Sequence, residues 1–263
     1  MKENYLSIYV SSCDKYSWLW PSFFHYLNKF WPDCPYKVYL GSETLKFRDR
    51  NVIVLDAGVG IPWGKMTRTN LEKIDTKYVL FMLDDFLLEN YVDSKIIEAV
   101  LNLTVKMNAN HIRLNENGSK RKLKNWEIAN SFVAIDGSKK SMISLQAAIW
   151  NRKFLLSILN NEESPWEFEI LGSERVKNGH KMYYLKKAAL VYHFGGIVHQ
   201  GLIERKYARM LFREHIWIDR KKVMTRREQL LKYIEDVHNY LHLNSVIPND
   251  IKQYVKKHLS VDR

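Results

Sequence analysis

The chain has 263 residues, of which 46% are hydrophobic and 13% aromatic, and 41 Lys and Arg outnumber 29 Asp and Glu for a formal net charge of +12. That apolar content excludes a disordered chain, and the length suffices for one large domain or a domain with a small appendage. The positive charge points to a polyanionic partner, whether nucleic acid, an anionic membrane surface or a phosphorylated substrate.

The start, Met1-Lys2-Glu3-Asn4, runs straight into a strand-like stretch at 5–10, which has neither the length nor the flanks of a signal peptide. No window reaches the roughly 18 apolar residues that a membrane span requires. Cys13 and Cys34 lack the spacing of a metal knuckle and fit free thiols in a reducing cytosol, so a cytoplasmic protein is expected.

After the first strand comes the polar loop Ser11-Ser12-Cys13-Asp14. From 17 to 30 the residues Trp18, Phe23, Phe24, Leu27 and Phe30 recur at helical spacing, until Trp31-Pro32-Asp33-Cys34-Pro35 ends the helix. Strands follow at 36–40 and 51–55, then a loop at 56–64 with three glycines and a helix at 65–74. The run Tyr78-Val79-Leu80-Phe81-Met82-Leu83 reads as a buried parallel strand, and it ends in Asp84-Asp85.

Beyond it the pattern predicts a helix at 94–107, a strand at 111–114, irregular loop and short strands over 123–135, and a turn at Asp136-Gly137. A strand at 144–150 leads to a helix opened by Asn151, and Pro165 sits at the first position of another helix with Glu167 in its first turn. Strands at 181–185 and 190–194 precede a loop containing Gly195, Gly196 and Gly201, and the remainder from about 202 is mostly helical and basic. One basic cluster, Lys120-Arg121-Lys122 with Lys124, lies mid-chain near Trp126. Others, Arg220-Lys221-Lys222 and Arg226-Arg227, follow Trp217 and Ile218.

This βα alternation predicts a doubly wound sheet, with ligands at the carboxyl ends of its strands. Carboxylates delivered to that edge need compensation, which a divalent cation bridging phosphate oxygens supplies; the plainer reading is that one of them caps a helix.

Six pieces in order, Ser11-Ser12-Cys13-Asp14-Lys15-Tyr16, Trp31 to Pro35, Trp63 with Arg68, Leu83-Asp84-Asp85-Phe86, Ser144-Leu145-Gln146 through Trp150, and Ser164-Pro165-Trp166-Glu167-Phe168-Glu169, make the chain resemble a nucleotide-sugar glycosyltransferase of the GT-A fold. The resemblance is to the small bacterial enzymes that build surface polysaccharides such as O-antigen or capsule. It covers roughly 5–205. It implies an α/β, Rossmann-like mixed, mainly parallel sheet flanked by helices. Residues 1–203 would form the transferase domain, with a nucleotide-binding half at 1–90 and an acceptor half at 91–203, and 204–263 a basic helical C-terminal extension.

The resemblance also implies roles. Ser11, Ser12 and Asp14 would bind ribose or base and Tyr16 would pack on the base, although ordinary turn chemistry explains the serines as well. Lys65 and Arg68, one turn apart, would face the diphosphate, with a surface ion pair as the alternative for Arg68. Asp84 and Asp85 take the place of the family's Asp-x-Asp motif, from which they depart by being adjacent. Asp85 is expected on Mn²⁺ or Mg²⁺ and Asp84 on ribose or sugar.

An inverting transfer needs a base for the acceptor hydroxyl. Glu169 is favoured over Glu167, which the helix start explains structurally. Trp166 and Gln146 fall on the acceptor side, Trp166 with a buried core position as its alternative. His193 and His199 flank the glycine loop, with His199 the expected cation ligand, and the glycines suit a lid that orders on donor binding.

The expected partners are a nucleotide-diphosphate sugar and a glycan or lipid-linked acceptor, with peripheral contact at the inner face of the plasma membrane through the basic C-terminal helices. No nucleic-acid partner is expected, since no recognition motif for one appears. Two rivals remain: a metal-dependent nucleotidyl- or phosphotransferase, and a non-catalytic basic protein that docks on membranes or RNA.

Overall fold

β1 (Leu6–Ser11), β2 (Val38–Ser42), β3 (Val52–Asp56) and β4 (Tyr78–Leu83) form the parallel half of an eight-stranded sheet. These elements come from a computed structural model that describes residues 5–116, 118–136, 142–176 and 180–243. The remaining strands are β5 (His111–Arg113), β6 (Phe132–Ala134), β7 (Ala148–Asn151) and β8 (Met182–Leu185), and the order is β3-β2-β1-β4-β7-β5-β8-β6. β7 is antiparallel to both β4 and β5, and β5 is parallel to β8, so the carboxyl ends of β1, β2, β4, β5 and β8 share one edge. β6 is antiparallel to β8. This is the α/β, mixed and mainly parallel arrangement that the GT-A resemblance implied.

β1 and β4 are buried almost throughout, which is why they read as continuous apolar runs rather than alternating ones. The flanking helices of this unit are α1 (Trp20–Phe30), α2 (Trp63–Glu72), α3 (Ser94–Met107), the single turn α4 (Ile128–Ser131), α5 (Arg152–Ile158) and α6 (Pro165–Arg175). On one sheet face Tyr9, Phe81, Ala148 and Trp150 pack with Phe168 of α6 and Leu71 of α2, and Trp63 packs against that core.

The helix expected over 17–30 is two pieces, a 3₁₀ helix at Asp14–Leu19 and then α1. Pro21, in the first turn of α1, has no N–H for a preceding turn to use, so a new helix starts there. The strand expected at 190–194 is not formed. Tyr192 makes a single antiparallel bridge to Leu88, and with only 87–89 opposite it the pairing does not extend into a ladder. Within 144–150 only the end pairs, as β7, while Leu145 and Gln146 run along its approach. Gly137, half of the expected turn at 136–137, lies outside the described residues, as does 244–263 of the expected C-terminal extension.

The first turn of α2 docks backbone to backbone on the loop after α5. Gly64 N–H donates to Glu163 O at 2.9 Å and Lys65 N–H to Asn161 O at 3.0 Å, satisfying donors that a helix start leaves open. A Cβ on Gly64 would lie 1.9 Å from Asn160 O. Because that obstacle is backbone, Gly64→Ala is expected to destabilise the protein by about 1–3 kcal/mol, read as a lowered melting temperature at unchanged secondary-structure content.

The chain divides into two compact units, Met1–Ile197 and Val198–Arg263. The described part of the second holds a hairpin of β9 (Val198–His199) and β10 (Leu202–Ile203), then α7 (Arg205–Arg213) and α8 (Arg226–Leu243). The two-residue turn places Gln200 and Gly201 at φ 53° and 84°, the left-handed pair such a hairpin needs. Among the described residues no helix is long and apolar enough to cross a membrane.

Candidate functional site

Asp84 and Asp85 are the central residues of a tight turn closing β4, where Phe86 N–H donates to Leu83 O at 3.1 Å. The turn sits at the sheet edge shared by the strand carboxyl ends. The Asp84 carboxylate is 7% exposed and accepts a hydrogen bond from the Ser12 hydroxyl, whose oxygen in turn accepts from Trp20 Nε1 at 2.7 Å. Burial, and then the Asp85 charge, push Asp84 well above the usual carboxylate range, with the Ser12 bond only partly offsetting them.

Asp85 is half-buried beneath the glycine loop. A Cβ on Gly196, whose φ is +81°, would lie 1.9 Å from Asp85 Oδ2, so only glycine lets this backbone close on the carboxylate. The Asp85 carbonyl accepts from Ile197 N–H at 3.2 Å, which ties the loop down. Tyr16 stands beside the pair: burial raises its phenol, and the charges of Cys13, Asp84 and Asp85 raise it further. The Cys13 thiol is raised by burial and by Asp84.

Two adjacent carboxylates at one turn are hard oxygen donors of the kind that fits a divalent cation. Among the described residues no group of three or more His, Cys, Asp or Glu side chains assembles around a point. Two carboxylates do not fill six oxygen positions, so a cation here would take the rest from water and from ligand oxygens such as those of a diphosphate.

α6 carries the second group of residues. Ser164 caps it reciprocally with Glu167, Ser164 N–H donating to Glu167 Oε2 at 2.8 Å and Glu167 N–H to Ser164 Oγ at 3.3 Å. Those bonds from Ser164 hold the Glu167 carboxyl below its usual value. One half-turn on, Glu169 Oε1 accepts from Leu145 N–H at 2.6 Å, which fixes the orientation of its carboxylate. Beside Leu145, Gln146 Oε1 accepts from the Tyr192 hydroxyl at 2.9 Å, and that hydroxyl accepts from Ala147 N–H at 3.2 Å. The Tyr192 ring stacks on Phe86 at 5.0 Å and 30°. A continuous path therefore joins the acidic turn to Glu169: Asp85, Phe86, Tyr192, Gln146, Leu145, Glu169.

Other expected site residues are placed elsewhere or already engaged. The Asp14 carboxylate gathers the loop after β2, accepting from Ser42 Oγ, Glu43 N–H, Leu45 N–H and both N–H and hydroxyl of Thr44, at 2.7–3.2 Å. Burial alone would raise its pKa, but those bonds outweigh it and hold the group low. Ser11 Oγ accepts from Trp63 Nε1 at 3.0 Å.

Among the described residues Arg68 forms no ion pair with an acid. It clamps the loop after α5, with Nε on Asn161 Oδ1 at 2.7 Å and Nη2 on Leu159 O at 2.6 Å. The Lys65 side chain is exposed. Trp166 is 73% exposed, which removes the core alternative for it. His193 Nδ1 meets Glu89 Oε1 at 2.8 Å, and His199, in the second unit, meets Glu235 Oε2 at 3.3 Å.

Sequence reasoning missed Tyr192 as the link between the two groups, and it missed Arg113, a charged residue within the strand expected at 111–114.

No protein-family model matches the chain, and no curated protein matches it. Among solved structures, S. aureus TarS 1-349 is similar at 14% identity with a TM-score of 0.48, over 72% of this chain and 59% of that one. The same protein in complex with UDP gives 15% and 0.49 over the same shares. The bifunctional IspDF from Campylobacter jejuni gives 14% and 0.40, over 69% of this chain and 49% of that one. The present chain thus spans about three fifths of the TarS fragment.

Proposed function

We propose that the protein is a glycosyltransferase that moves a sugar from a nucleotide-diphosphate sugar to a hydroxyl of a glycan or lipid-linked acceptor, with inversion, in the assembly of a bacterial surface polysaccharide. The observation that carries this reading is the path from the Asp84-Asp85 turn to Glu169. It brings two adjacent carboxylates and an oriented third carboxylate to one sheet edge.

Asp85, with Asp84 beneath it, would hold Mn²⁺ or Mg²⁺, and when bound the cation supplies charge neutralisation for the departing diphosphate. Ser12 orients Asp84, and Tyr16 offers a ring for the base. Glu169 takes the proton of the acceptor hydroxyl as that oxygen attacks the anomeric carbon, while the glycosidic bond to the diphosphate breaks on the opposite face. Phe86 and Tyr192 hold the two halves in register. Arg68 contributes by fixing the 159–161 loop, and Trp166, on the first turn of α6, gives the acceptor sugar a face to stack on.

The second unit supports contact with an anionic leaflet. Phe212, on α7 with Arg205, Arg209 and Arg213, and Trp217, beyond the end of that helix, are 57% and 78% exposed and pack edge to face at 4.9 Å. Each well-placed Lys or Arg contributes about 1 kcal/mol to such docking, which salt screens.

A thermal-shift panel of UDP, GDP, CDP, dTDP and ADP, each with and without Mn²⁺, tests the donor reading. A nucleotide at a hundred times its dissociation constant adds about 2.7 kcal/mol, which raises the melting temperature by about 5–10 °C in a chain of this size. One nucleotide is expected to give that shift with Mn²⁺. A flat response across the whole panel removes the glycosyltransferase reading.

A further inference from the structure

Arg113 ends the short strand β5 in the middle of the sheet. Its register partners are Ala148 on β7 and Tyr184 on β8, and Ala148 is in turn opposite Phe81 and Phe81 opposite Tyr9. Paired residues share a face, so Arg113 projects from the face that carries Tyr9 and Phe81. Trp63 of α2 and Phe168 of α6 cover this face, with Trp63 and Phe81 rings 6.5 Å apart and Trp63 and Phe168 rings 5.5 Å apart.

The guanidinium lies over the Tyr184 ring, 5.6 Å from its centroid. Its Nε is buried with no hydrogen-bond partner, and among the described residues it forms no ion pair at contact distance. Burial lowers its pKa, opposed at longer range by Tyr192, Tyr184, Glu116 and Glu169. On the same strand face His111 leaves both ring nitrogens without a partner, and in the bend after β5 the buried Asn115 leaves its Oδ1 so.

Arg113 is half-buried, and a guanidinium whose Nε is shut off from water is costly unless a planar acceptor matches its fork. Glu169 does not meet that need: among the described residues it forms no ion pair with Arg113, and its Oε1 is held by Leu145 N–H. The groups that face Arg113 are Tyr184, Glu116, Glu169 and Tyr192, and of these Glu169 and Tyr192, with its bond to Gln146, belong to the path described above.

We infer that Arg113 is the centre of an anion-recognising subsite beside Glu169, which binds the carboxylate or phosphate group of an acidic substrate. The subsite rests on the glycosyltransferase reading for its place in a reaction. It narrows that reading to a transferase whose transferred sugar carries a carboxylate, or whose acceptor carries a phosphate ester. Both present two coplanar oxygens to the fork.

Ligand-detected saturation-transfer NMR at millimolar concentration separates the two sources, with glucuronate against glucose as the carboxylate arm and glycerol 3-phosphate against glycerol as the phosphate arm. The wild type is expected to prefer one anion over its neutral counterpart by at least ten-fold. Arg113→Met should abolish the preference, and Arg113→Lys, which keeps the charge and loses the fork, should keep only part of it; if the Met variant does not fold, the Lys variant alone carries the comparison.

Equal binding of anion and neutral sugar, or a preference unchanged in both variants, overturns the subsite. The nucleotide panel on the wild type keeps the two ideas apart. A nucleotide shift without anion preference removes only the subsite, and an anion preference without any nucleotide shift keeps the subsite and removes the transferase reading.

Discussion

Replacing Glu169 by glutamine is expected to slow sugar transfer by about 10²–10⁴-fold while leaving the melting temperature near that of the wild type. The amide oxygen of glutamine still accepts the Leu145 N–H bond, and the other bond at this position, from Ser173 Oγ at 2.5 Å, goes to the backbone carbonyl. The substitution therefore removes the proton acceptor and little else.

Glu167→Ala is the control on the same helix turn. It breaks the capping box with Ser164, so it lowers the melting temperature slightly and leaves the rate within a few-fold. The measurement is single-turnover transfer from the nucleotide sugar that the thermal panel selects, with the anomeric configuration of the product read in the same assay. A Glu169→Gln enzyme within ten-fold of wild type places the base elsewhere. A Glu167→Ala enzyme that loses the rate instead moves the base to the first turn of α6.

The backbone of this site was legible locally. The apolar run at 78–83 and the acids after it marked a buried parallel strand and its carboxyl end, because a strand buried on both faces has no reason to alternate. The helix at 94–107 was read from the pattern alone, and the structure shows what bounds it: Asp93 accepts from Lys95 N–H at one end and Asn108 sits at φ 49° at the other. Pro165 and Glu167 marked the start of α6, where the structure adds Ser164 as its cap.

What stayed hidden was decided by contacts across long stretches of chain. Asp14 sits in the first loop with nothing local to separate ribose chemistry from structural chemistry, and its partners are some 30 residues on, at the end of β2. Arg68 pairs with carbonyl and amide groups more than 90 residues away. Tyr192 is linked to Gln146 across 46 residues, a contact that no periodicity encodes. The glycines at 195 and 196 read as mobility, whereas at Gly196 the missing Cβ is what allows backbone to lie against Asp85. Local pattern thus located the acidic edge, while tertiary packing decided which polar groups remain available to a ligand.

Asp85→Ala is expected to lower transfer by about 10²–10³-fold, the usual consequence of removing one pre-positioned electrostatic group, and to abolish the Mn²⁺ dependence of nucleotide binding. The same variant has a second, independent signature in stability. Asp84 is raised above its ordinary value of 3.8 by burial and by the Asp85 charge. A carboxyl whose folded pKa exceeds its unfolded one binds its proton more tightly when folded, so the stability it contributes is fully present below that ordinary value and is lost as pH rises through the raised one.

The wild type without divalent cation is therefore expected to lose melting temperature on going from about pH 4 toward neutrality. In Asp85→Ala one of the two causes is gone, so that decline is shallower and complete at a lower pH. Mn²⁺ should flatten the wild-type profile by compensating both charges, and should leave the variant's nearly unchanged. A variant whose pH profile parallels the wild type, and which still answers to Mn²⁺, shows that Asp85 anchors the glycine loop and nothing more. A shallower profile joined to a lost rate shows that the repulsion between two adjacent carboxylates, a cost to the empty protein, is what makes the edge of β4 a place for a cation and a diphosphate.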